Sequence, residues 1–145
     1  MGLPDCLRNN IGQWIVSPRG EIFDTDSQKY QLTRMSDEDQ YVEIRFESGI
    51  TLRLHYWRFN LVIDILSQVK GEYLMIGSRI NPDDLTTIEG ELVREALTKG
   101  YKYAQLRTAA FVCDLIVFCG YAQYGYMINP KTDRKVQGIK WIHLP

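Results

Sequence analysis

The sequence predicts an α+β fold in which an N-terminal antiparallel β-sheet is followed by three helices and a C-terminal β-hairpin. Three observations predict it. Apolar and polar residues alternate up to about Tyr56, helical spacing replaces that alternation from Trp57 onward, and alternation returns after Gly120. The change of period divides the chain into a β subdomain, residues 1–57, and a helix-rich subdomain, residues 58–145. At 145 residues the two are expected to share one core. A hydrophobic content of 45% with 24% charged residues is the balance of a globular protein.

Taken in order, residues 13–16 and 21–24 read as strands around Ser17-Pro18-Arg19-Gly20, a turn in which proline presets φ and glycine permits a positive one. Residues 29–35 and 40–47 form the next two strands, separated by the acidic loop Ser36-Asp37-Glu38-Asp39. The clearest hairpin joins 41–47 to 50–56 across Ser48-Gly49. Val42, Ile44 and Phe46, with Ile50, Leu52 and Leu54, make one apolar face; Glu43, Arg45, Arg53 and His55 make a wet one on which glutamate–arginine pairs can cross.

In the second half, Leu61, Ile65, Leu66 and Val69 mark the inner side of a first helix ending near Gly71. A short strand over 73–76 follows. Asn81 and Pro82 then have the N-cap and first-turn signature of a second helix running to about Thr98, with Gly100 as its stop. The third helix is expected over 104–118. It is apolar around most of its circumference and therefore deeply packed. Strands over 121–128 and 135–142 then flank a polar loop containing Pro130.

That order of helix, short strand, helix, helix and hairpin resembles the winged helix-turn-helix. The resemblance covers residue 58 to the C-terminus and rests on element order alone. It implies duplex DNA contact by the entry of the third helix, where Lys102 and Arg107 lie, and by the hairpin loop with Lys131, Arg134 and Lys135. It equally accommodates a module for protein interaction or dimerisation. Charge bears on the choice: from Lys99 onward seven basic residues face two acids, a net +5. With −1 for the whole chain, −6 remains on the first 98 residues. Against DNA reading stands the apolar third helix, which carries few polar side chains for base edges. Tyr121, Tyr124 and Tyr126 are the alternative candidates, as a protein-contact surface, since tyrosine is enriched at interface hot spots.

Chemistry is sparse. His55 and His143 are the only histidines and lie far from any nucleophile spacing. No metal-ligand pattern or phosphate-cradling glycine motif occurs, so no cofactor is expected. The Glu43-Ile44-Arg45 strand lacks the lysine and upstream acid of a nuclease dyad. Cys6, Cys113 and Cys119 read as small buried residues, because Cys113 and Cys119 diverge by about 240° around a helix. The N-terminal residues lack the apolar core of a signal peptide and no stretch approaches membrane-spanning length, so a cytoplasmic location is expected by elimination. Asp114, an acid amid Phe111, Val112, Leu115 and Ile116, needs a partner if buried; Arg107, seven residues earlier, is the sequence candidate. The expectation is a non-enzymatic binding protein that contacts a protein partner or itself, with duplex DNA as the alternative.

Overall fold

The computed structural model describes residues 2–25, 28–77, 86–102 and 108–143. The described residues form a mixed α+β fold with a four-stranded antiparallel sheet, a three-stranded sheet and five helices. None of these helices is long and apolar enough to cross a membrane.

Helix α1 (Leu3–Asn9) opens the chain, with Leu3 and Leu7 on one face, four residues apart and both buried. The Asp5 carboxylate accepts a hydrogen bond from the Gly2 N–H at 3.2 Å. Strand β1 (Trp14–Val16) comes next. The strand expected over 21–24 is absent. Helix α2 (Pro18–Ile22) stands there, because Ser17 and Pro18 act as N-cap and first-turn residues rather than as a hairpin turn. The Ser17 hydroxyl accepts from the Arg19 N–H at 3.3 Å.

Strands β2 (Lys29–Ser36), β3 (Tyr41–Phe46) and β4 (Thr51–His55) complete the first sheet in the order β1-β2-β3-β4. Val42 faces Leu54 and Ile44 faces Leu52 on the buried side; Glu43 faces Arg53 on the other. Ile50 lies outside the strand and is exposed. Tyr41 belongs to the wet face yet is buried, because the Arg34 and Arg53 guanidinium groups lie 5.5 and 4.6 Å from its ring centre.

Helix α3 (Tyr56–Gln68) buries Arg58, Phe59, Val62 and Leu66, a stripe rotated from the one expected. Strand β5 (Tyr73–Met75) follows. Helix α4 (Ile88–Thr98) begins later than the Asn81-Pro82 signature implies. Those two residues lie outside the described ones, but Thr87 is extended and its hydroxyl accepts from the Gly90 N–H at 2.9 Å. Thr87 also bridges Met75, which no helical residue could do. Helix α5 (Ala109–Phe118) starts after Thr108; the earlier part of its expected span, 104–107, lies outside the described residues. Gly100 and Gly120 follow α4 and α5 with φ of 82° and 83°, the left-handed conformation that stops a helix.

Strands β6 (Ala122–Ile128) and β7 (Lys135–Trp141) form the last hairpin. The second sheet has the order β5-β7-β6, so the short strand lies beside the last one. Tyr73 pairs with Lys140, and Ala122 with Trp141. One hydrophobic cluster runs through both sheets, from Leu3, Ile15 and Leu32 to Val112, Ile116 and Ile139.

Candidate functional site

The third helix of the second half, α5, has little free surface. Ala109, Val112, Cys113, Asp114, Leu115 and Ile116 are all buried, which accounts for its apolar circumference. It packs on α2, α3, α4 and β6. The first sheet reaches it too. The Phe111 ring lies 5.9 Å from that of Tyr30 and 5.2 Å from that of Phe46.

Asp114 is the polar centre of this packing. It is fully buried and accepts four hydrogen bonds: from Arg19 Nε at 2.9 Å and Nη2 at 3.1 Å, from the Tyr30 hydroxyl at 2.8 Å and from the Tyr124 hydroxyl at 2.7 Å. The sequence candidate, Arg107, lies outside the described residues; the partner is Arg19, 95 positions away. Burial works against the Arg19 charge, but the hydrogen bond and charge of Asp114 outweigh it and raise its pKa. Burial, reinforced by the Asp114 charge, pushes the Tyr30 and Tyr124 hydroxyls well up, so both stay protonated donors. A buried carboxylate with this many donors is satisfied and closed to substrate.

The expected interaction tyrosines separate. Tyr124 is a core residue on Asp114. Tyr121 is half-buried, its ring 5.8 Å from Trp141 and 4.4 Å from His143. Tyr126 remains exposed, donates to the Phe23 carbonyl at 3.2 Å and carries the Lys135 ammonium 4.3 Å above its ring. Lys131, Arg134 and Lys135 are exposed around the hairpin loop, and Lys102 is exposed beyond α4.

The cysteines require a correction. Cys6 of α1 and Cys119 at the end of α5 form a disulfide across 113 residues, and only Cys113 is a free buried thiol. Local spacing compared Cys113 with Cys119, whereas the bonded partner arrives through tertiary structure.

A second region is open. A cleft of about 520 Å³ lies where the wet face of β4 meets the start of α3 and the ends of the α4–α5 connection. Arg53 and His55, two apart on β4, share one face, as strand geometry requires. Arg58, one turn into α3, is 1% exposed and lines the cleft with Tyr101 and Thr108. Its guanidinium donates to the Thr108 hydroxyl at 3.0 Å and lies 4.5 Å from the Trp57 ring centre and 5.1 Å from that of Tyr101. Burial lowers the Arg58 pKa; burial, then the charges of Arg58 and Arg53, lower that of His55. His55 Nδ1 is buried without a hydrogen-bond partner. Nothing in the linear sequence distinguished Arg58.

Among the described residues no group of three or more histidine, cysteine, aspartate or glutamate side chains could hold a metal ion. No protein-family model matches the chain, and no curated protein or solved structure matches it significantly.

Proposed function

We propose that the chain is a non-enzymatic binding protein built on a winged-helix-like module and used for protein contact. Two features support the module: the order α3-β5-α4-α5-β6-β7, and a sheet whose first strand lies beside its last. The observation that carries the functional reading is the sealing of α5. A helix that reads a major groove must present an exposed polar face, and over its described span α5 packs on α2 while its Phe111 ring meets Tyr30 and Phe46 of the first sheet.

The contact surface is the edge of the first sheet. Trp14 and Val16 on the edge strand β1 are 49% and 52% exposed, and Ile11 just before it is 41% exposed. An open edge strand bearing tryptophan suits pairing with another chain, and a second copy is the simplest partner. Sedimentation velocity should detect self-association that rises with concentration and is lost in Trp14→Arg with unchanged circular dichroism. A chain that stays monomeric throughout overturns this reading.

Duplex DNA contact is the second reading, favoured by exposed Lys131, Arg134 and Lys135 on the net-positive C-terminal segment. It predicts affinity that falls steeply with salt and a shallower slope in Lys131→Ala with Arg134→Ala; the protein-contact reading predicts no such binding. The disulfide tests the expected cytoplasmic location, since such bonds are rare in reducing compartments. Trapping thiols in denaturant at the moment of lysis labels three cysteines in a cytoplasmic chain and one in a chain from an oxidising compartment.

A further inference from the structure

We propose that α1 is a redox-released strap: reduction of the Cys6–Cys119 disulfide by a dithiol lets α1 lift from the groove it closes, while the rest of the fold stays in place. Leu3, Cys6 and Leu7 follow the i, i+3, i+4 spacing of one helical face, so the covalent tie leaves α1 on the same side as its two buried leucines. That side covers an apolar groove between the first sheet and α3. Met35 and Val42 of the sheet and Phe59 and Ile63 of α3 form its floor. The leucines do not fill the groove, and a cavity of about 110 Å³ remains between α1 and that floor.

The non-covalent hold on α1 is weak. Arg8 pairs with Asp37 at 2.9 Å, but the two side chains are 46% and 72% exposed, so water screens the pair. A helix of seven residues is not stable by itself, and burial of two leucines must offset the ordering of the whole segment. The chain after α1 is held differently. The Gly12 N–H donates to the Leu32 carbonyl at 2.7 Å, and the Leu32 N–H to the Gln13 carbonyl at 3.0 Å. Gly12 has a φ of 94°, a turn that glycine adopts without steric cost, and release pivots at this point.

The disulfide is within reach of a reductant, since Cys6 and Cys119 are each half-buried and Cys119 adjoins the exposed Gly120. The dithiol supplies two electrons and two protons. Its thiolate attacks one sulfur, the S–S bond breaks, Cys6 and Cys119 leave as thiols, and the dithiol closes into its own disulfide. Cys113 stays out of the exchange, because it is fully buried and burial pushes its thiol pKa up, which keeps it protonated.

The test is hydrogen–deuterium exchange of the full chain with and without dithiothreitol, read peptide by peptide by mass spectrometry. Thiol labelling reports the state of the bond in each sample. Reduction should speed exchange of the α1 amides about ten-fold or more and leave β3, α3 and α5 protected. Cys6→Ser should show the fast α1 pattern with or without the dithiol. Three results would overturn the proposal: α1 exchange that is the same in both states, protection lost throughout the chain on reduction, or a bond that resists the dithiol in the folded chain.

Discussion

Two arginines, one in each half of the chain, are used in opposite ways. Arg19 of α2 meets a fully buried carboxylate, Asp114, and its pKa is raised; two tyrosine hydroxyls complete that cluster. Arg58 of α3 is stacked on Trp57 and Tyr101, has a lowered pKa and lines an open cleft. The contrast separates a charge held by a buried carboxylate from one held by aromatic rings and a hydroxyl. Asp114 joins residues of α2, β2, α5 and β6 through four hydrogen bonds that it accepts.

The largest effect should come from breaking the closed cluster. Arg19→Met removes the counter-ion of the buried Asp114 carboxyl group and should cost about 3–5 kcal/mol in urea unfolding. An Asp114→Asn variant with unchanged thermal stability would show that the cluster does not orient α5.

Alkaline pH attacks the same cluster from the tyrosine side. Below about pH 10 folded and unfolded chains both hold the Tyr30 and Tyr124 protons, and the contribution of the pair is intact. Above it the unfolded chain releases them while the folded one does not, because both pKa values are raised. Stability should then fall by about 3 kcal/mol per pH unit until the folded-state values are reached, with tyrosinate absorbance rising together with loss of structure.

The disulfide reinforces the closed side, because it ties α1 to the end of α5. Reduction, or Cys6→Ser, should lower stability by about 2–4 kcal/mol, measured by the same unfolding curves. Changes on the open side should be milder. Arg58→Lys keeps the charge but loses the planar stacking on two rings, at a cost of about 1 kcal/mol. Should Arg58→Lys cost as much as Arg19→Met, the distinction between the two arginines would collapse. Smallest of all, Glu43→Gln should change stability by under about 1 kcal/mol, since Arg53 is largely solvated.

Much of the architecture was legible in the residues. The period-two run around Ser48-Gly49 located β3 and β4 and placed Arg53 and His55 on the wet face that now walls the cleft. Gly100 and Gly120 marked the ends of α4 and α5. Reading failed where one local signature serves two structures. Ser17-Pro18 suits a turn or a helix start, and α2 is the helix, placed so that Arg19 reaches Asp114. The functional surroundings were harder still: Tyr124 and Tyr126 stand two apart on one strand, yet one is core and the other surface.

By itself the sequence determined the α+β class, most strand and helix ends, and the need of Asp114 for a partner, because periodicity, capping and the cost of a buried charge are local properties. Tertiary structure decided the rest: that Arg19 supplies the partner, that Cys6 bonds Cys119, that two rings of the first sheet meet Phe111 of α5, and that Arg58 lines a cleft. Each of these depends on residues tens of positions or more apart, brought together only when the two sheets pack on one core.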